Sequence, residues 1–430
     1  MRKKILSMMI SICAANVLFA VDNYYYTIGD DGTLLQVLHP KKNVFQLKKD
    51  SSKVSPNKIF MLAKIGVEGN ITLGENAEAN GNNSTAIGNS SNANKKNATA
   101  IGYKASATES SVAVGANATA SGPLSVAIGE NAKSEATTGI SIGGDASSKG
   151  SSSISIGYHS KSTYNNSIAI GEHSESNGQQ AIAIGYNTKS KDVHSIAIGH
   201  SSSATSAESV AIGSDAKSTA ESGIAIGDGT ENRGSNSIAI GDDAKTANEQ
   251  GQIAMGSNAN SSGAYSTAMG YRAEALAQGS IAIGWRVTSE GLDSSAFGTS
   301  AIASARNSTA IGRGAVAKGE YSNALGSSAK ATGLYSNAIG NSISSGEYSN
   351  ALGSYAKSIG YNSNALGKYA KSIGGNSNAI GFDAVAQGGS SLAIGESTTA
   401  YGSNSIAIGK NAIVGVITNR DVDKEVDKKK

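Results

Sequence analysis

Residues 166–174 read NSIAIGEHS, and close copies of the SIAIG centre stand before and after them. Taking the glycine of each small–apolar–glycine triplet gives Gly74, Gly88, Gly102, Gly115 and so on to Gly409. Of the 24 intervals between these 25 glycines, 21 are 14 residues long, two are 13 and one is 15. A period held over so many copies is the signature of a solenoid, in which each repeat forms one coil stacked on the next.

Each column of the repeat has its own chemistry. The residue before the glycine is apolar in all 25 copies, the one before that is Ala in 22, and the next one back is aliphatic in 15, among them Ile168, Ile196 and Ile238. Alternation over these positions puts the two larger residues on one face of a strand and the Ala on the other. Large apolar side chains favour interiors, so the isoleucine pair is the expected filling and the Ala column the face that another surface approaches closely. The glycine ends the strand and admits a turn with positive φ. Small residues then return in alternation, as at Ala216, Ser218 and Ala220, which predicts a second short strand.

One coil is thus strand, turn, strand, turn. A triangular helix built from hexapeptides needs a longer coil, and the Gly-Gly-x-Gly-x-Asp of calcium-binding nonapeptide rolls is absent. The expected fold is all-β: a parallel β-roll solenoid of about 25 coils with a 14-residue period. At roughly 4.8 Å per coil it makes a rod about 120 Å long. Two aliphatic side chains per coil are a thin return for ordering fourteen residues, which predicts a homo-oligomer.

The ends differ from the middle. Arg2, Lys3 and Lys4 precede the apolar run ILSMMISICAANVLFA, so residues 1–20 read as a signal peptide with cleavage after Ala20. A retained anchor is the competing reading, although the run falls short of the roughly 20 residues a spanning helix needs. Lipoprotein processing at Cys13 meets a large Ile12 where a small residue is wanted. Residues 21–69 are irregular and suit a few strands or a short cap. The repeats fill 70–413, and 414–430 form a charged tail in which Val422 and Val426 could begin a stalk helix or simply fray. No second apolar run of spanning length follows the first, so no membrane-spanning segment is expected in the mature chain as given.

Composition narrows the chemistry. With 36 basic and 33 acidic residues the net charge is +3, which gives no electrostatic case for a nucleic-acid partner. Cys13 is the only cysteine, so neither disulfides nor a catalytic thiolate are expected in the mature chain. His159 and His173 are one period apart, but only Glu172 stands near as a further ligand, and no metal or cofactor is expected. The acids Glu130, Asp215 and Asp242 form no recurrent pair at one coil separation, against the fixed acid/base pair of a polysaccharide-acting β-helix enzyme. No catalytic residue is therefore assigned. Asn323, Asn337, Asn350, Asn364 and Asn378 replace the aliphatic residue in five successive coils and should stack as an amide ladder. Tyr321, Tyr335 and Tyr348, two residues earlier, predict an aromatic stripe that packs between chains or grips an extended ligand.

The tandem copies NSIAIGEHS, NSTAIGNSS (83–91), NSTAIGRGA, NSIAIGDDA and NSIAIGKNA resemble the head repeats of YadA-like trimeric autotransporter adhesins. That resemblance implies a left-handed parallel β-roll with three chains about a common axis. It further implies a coiled-coil stalk on an outer-membrane β-barrel, and binding to host extracellular matrix such as collagen. The chain as given shows neither the long stalk nor aromatic-ended barrel strands, which leaves the mode of anchoring open. Collagen binding in that family is associated with Asn-Ser-Val-Ala-Ile-Gly-x-x-Ser. Here Asn166, Ser167, Gly171 and Ser174 match it, with Ile168 in the valine place, as do Asn83, Ser84, Gly88 and Ser91, with Thr85 there. These eight are the candidate matrix-contact residues, and the competing reading is that they build the roll. The resemblance implies a non-enzymatic adhesin head, secreted or on the cell surface, at the outer membrane of a Gram-negative-type bacterium where an anchor exists. A passive spacer or coat is the alternative function, and a β-helix polysaccharide-acting enzyme the remote one.

Overall fold

The chain writes two strands into every coil, and the backbone follows. A computed structural model describes residues 69–415, together with the backbone of four short strands nearer the N-terminus: Phe19–Val21, Tyr24–Ile28, Leu34–Val37 and Lys64–Ile65. The first three pair as an antiparallel sheet with Tyr24–Ile28 in the centre. The expected cleavage after Ala20 falls within Phe19–Val21, while residues 1–18 and the tail beyond residue 415, including Val422 and Val426, lie outside the described residues.

From Ile71–Leu73 to Ile406–Ile408, 25 three-residue strands form one parallel ladder, and the short strands between them form a second. Ile168, Ala169 and Ile170 pair with Ile182, Ala183 and Ile184, exactly one period on in sequence, and Glu175–Ser176 pairs with Lys189–Ser190. Turns join the ladders too: the amide of Asn187 donates to Glu172 O at 2.9 Å, and that of Gln180 to Asn165 O at 3.0 Å. Backbone groups thus find partners around the whole perimeter of the coil. Among the described residues there is no helix.

Both turns close tightly, as where Ser174 N donates to Gly171 O and Ala181 N to Gly178 O, each at 3.3 Å. The third residue of each is left-handed, with φ of 56° at both His173 and Gln180. Asn, Asp and Ser recur there because they tolerate that conformation best. The column glycine is required twice over. Gly171 has φ of 125°, and a Cβ on it would run into the carbonyl oxygen of Gly185 in the next coil.

The three irregular intervals are absorbed entirely in turns. The coil after Gly102 loses a residue in its second turn and the coil after Gly340 loses one in its first, whereas the coil after Gly241 gains one in its second. Strand register survives each: Thr99 pairs with Val112, Asn337 with Asn350 and Ile238 with Ile253.

The interior reverses the expectation from residue size. Ala169, Ala183 and Ala197 are wholly buried, whereas Ile168 and Ile170 point outward and are half-buried. Val287 is the only buried apolar side chain larger than Ala among the described residues. Two strands of three and two residues, joined by tight turns, bring the sheets too close for isoleucine. Alanine and serine fit. The second-strand expectation holds on the same terms, with Ala216 and Ser218 buried and Lys217 between them exposed.

Serines complete this interior, many of them satisfied locally, while the buried hydroxyls of Ser84, Ser125, Ser153, Ser162, Ser280 and Ser336 have no hydrogen-bond partner among the described residues. Ser167 Oγ donates to Tyr164 O at 2.6 Å and Ser174 Oγ to Gly171 O at 2.8 Å, so each hydroxyl reinforces the turn it ends. Ser190 Oγ donates across the roll to Ser195 O at 2.8 Å. Buried hydroxyls with partners avoid most of the desolvation cost that an unpaired polar group carries.

Candidate functional site

With the interior filled by small residues, whatever the molecule recognises must meet the two outer sheet faces or the two turn edges. The three-residue ladder presents two columns of mainly aliphatic side chains along the rod, and Ile128, Ile311 and Ile339 reach 38%, 42% and 40% exposure. So long an apolar stripe is of the kind that marks an interaction surface.

The candidate matrix residues divide by direction. Ser84, Ser91, Ser167 and Ser174 are buried inside the roll, and Ser91 Oγ donates to Gly88 O at 2.9 Å. Gly88 and Gly171 set the first turn, with φ of 127° and 125°. Asn83 and Asn166 alone project to solvent, each with φ of 56° at the second turn. The motif therefore offers a partner one amide per coil, beside neighbours such as Asn165 and Glu172, which are also exposed.

The amide ladder forms as expected. Asn323 Nδ2 donates to Asn337 Oδ1, and the chain continues through Asn350 and Asn364 to Asn378 with steps of 2.7–2.8 Å. It runs down a column of the outer face that is aliphatic in 15 of its 25 coils and spends its amides on one another. Tyr321, Tyr335 and Tyr348 stack with centroids 4.7 Å and 5.2 Å apart. They lie on the second-turn edge, exposed to solvent in the single chain.

On the first-turn edge, His159 and His173 stack at 5.2 Å with nearly parallel rings, flanked edge-on by Tyr158 and Tyr186. His200 stacks on Tyr186 at 5.4 Å. Glu172 approaches the His173 ring at 3.9 Å. Among the described residues no three His, Cys, Asp or Glu side chains gather around one point. Further down this edge Tyr271 and Trp285 stack at 6.2 Å, each beneath the guanidinium of the following residue, Arg272 and Arg286. Sequence reading passed over this cluster, although the signal was there: an aromatic–arginine dipeptide repeated one period apart, at 271–272 and 285–286.

Comparison with known proteins addresses the whole rod. No curated protein sequence matches the chain. Among solved structures, the collagen-binding domain of the Yersinia adhesin YadA is similar at 29% identity, with a TM-score of 0.23, covering 35% of this chain and 69% of that one. The family model of the YadA head domain repeat matches fourteen stretches between residues 73 and 412. They run without a break over 73–146, span most of 148–342, resume at 386–412, and lapse over 343–385, where asparagines 350, 364 and 378 replace aliphatic residues. Together these stretches take in most of the chain, which thus belongs to the YadA head repeat family.

Proposed function

We propose that this chain is the head of a homotrimeric, non-enzymatic adhesin, displayed at the cell surface and attaching to host extracellular matrix such as collagen. The observation that carries the reading is the aliphatic double column along the three-residue ladder. It supports self-association along the length of the rod, and family membership supplies the number three. Three rods would present turn residues at every coil step, so that contacts weak individually add through avidity. The apolar leader, with cleavage after Ala20, supports export of the head to the outer membrane or beyond it.

The motif contact narrows to Asn83 and Asn166 with the turn residues around them, while the four serines and two glycines shape the turns. Burial of those serines favours a second reading, a passive spacer or coat, because it gives the repeat a structural reason to recur. Retention of the purified oligomer on immobilised collagen and other matrix proteins tests the choice. Retention that falls when Asn83 and Asn166 become Ala supports attachment. No retention on any matrix protein sinks it and leaves the spacer.

A further inference from the structure

The near-neutral total charge hides a segregation along the first-turn edge. From Glu75 to Asp243 the two residues after the column glycines include Glu75, Glu130, Asp145, Glu172, Asp215 and Asp242. From Ser257 to Tyr369 the same two columns hold no acid at all and carry Arg272, Arg286, Arg313 and Lys368. The adjoining outer face of the two-residue ladder adds Lys330, Lys357 and Lys371, with Lys357 and Lys371 in direct register, and one carboxylate, Glu274. Among the described residues none of these cations has an ion-pair partner. Like charges lined up without counter-charges destabilise a surface unless something anionic meets them.

Aromatic rings are interleaved with the cations. Arg272 lies over Tyr271 at 5.2 Å, Arg286 over Trp285 at 4.7 Å and Lys368 over Tyr369 at 5.1 Å. Tyr369 stacks in turn on Tyr355 at 5.3 Å. Trp285 is 45% exposed and Tyr355 51%, so these rings are not core packing. The strip lies off the aliphatic face that self-association would cover.

We propose that this edge, from Tyr271 to Tyr369, is a binding strip for an anionic polysaccharide, a chain bearing uronate or sulfate groups laid along the rod. Flat aromatic faces suit the apolar faces of sugar rings, and guanidinium groups fork onto carboxylate or sulfate oxygens. Charge density separates this ligand from a nucleic acid. The strip spans on the order of 40 Å at the coil spacing, along which one strand would bring roughly a dozen phosphates at about 3.4 Å each. Arg272, Arg286, Arg313 and Lys368 sit one, two and four coils apart, a spacing suited to a sparser anion. The inference goes beyond the attachment reading and does not rest on collagen or on any matrix protein.

The test uses the full chain on immobilised chondroitin sulfate, a uronate- and sulfate-bearing chain of lower charge density than nucleic acid, with dextran, single-stranded oligothymidylate and polyglutamate as comparison surfaces. Chondroitin sulfate should retain the protein in a salt-sensitive way while dextran does not. Substituting Arg272→Ser, Arg286→Ser and Arg313→Ser together should weaken retention roughly tenfold or more and flatten its salt dependence. Tyr271→Ser with Trp285→Ser should weaken it with the salt dependence kept. Serine is compatible with these columns, since Ser300 holds the arginine place at φ of 54° and Ser257 the aromatic one. Unchanged circular dichroism verifies folding, and Lys104→Ser, outside the strip, should retain wild-type binding. Three results overturn the proposal: no retention on chondroitin sulfate, retention indifferent to the arginine triple, or equal retention on oligothymidylate or polyglutamate. Collagen retention of the same variants reports separately on the attachment reading.

Discussion

Asn323 and Asn337 stand one coil apart and share a side-chain hydrogen bond of 2.8 Å, Nδ2 to Oδ1. Each inner amide of the ladder both donates and accepts, so removing one member strands two neighbours. Asn350→Ala should lower the unfolding free energy by about 1 kcal/mol in denaturant titration. Replacing all five asparagines by Ile removes donors and acceptors together and should be close to neutral. A fivefold variant that loses far more than the single one would contradict the ladder as drawn.

The inward alanines give a sharper contrast. Ala169 is wholly buried, so Ala169→Ile overpacks the roll and should cost about 1–3 kcal/mol or prevent folding. Ile168→Ala trims a half-buried outward side chain and should leave the β spectrum intact while loosening association. The reverse ranking, read by circular dichroism and thermal melts, would restore isoleucine to the interior.

Glycine positions separate just as clearly. Gly185 has φ of 134°, and a methyl group there meets Gly199 O in the next coil, so Gly185→Ala should destabilise by about 1–3 kcal/mol. At Gly375 the nearest atom to an added Cβ is Tyr361 O at 3.9 Å, so Gly375→Ala should be neutral or stabilise by about 0.5 kcal/mol. Equal melting shifts for the two would remove the coil-contact argument.

Association is open to direct weighing. Light scattering of the purified chain should report three copies per particle. Ile168→Asp with Ile196→Asp places charges on the aliphatic stripe and should yield smaller particles. A folded wild-type monomer at micromolar concentration counts against the stripe as an interface.

Much of this molecule could be read from its residues, because the features concerned depend on spacing. The column glycines place the end of every three-residue strand, and the Ala216–Ser218 alternation locates the second ladder. What spacing cannot reveal is direction. Alternation at Ile168–Ala169–Ile170 is satisfied equally with either face inward, and preference by size chooses isoleucine. The choice fails because a coil of two short strands is too flat for large side chains, a constraint that belongs to the closed loop and to no single strand. A clue was nevertheless present. Serine just before the strand, at Ser84, Ser167 and Ser195, lies in phase with the Ala column, and a recurrent small residue on both sides of a turn marks a narrow interior. The basic strip escaped notice for a different reason: total charge averages over an edge that only the stacked coils bring into line.

Turns at 108–111, around Asn341 and at 247–252 take up a missing or surplus residue while the ladders beside them stay paired. Length errors are therefore forgiven where they occur and are not passed on to later rungs. Whole coils can therefore be added or removed without disturbing the rungs on either side, so the length of the rod is an adjustable trait.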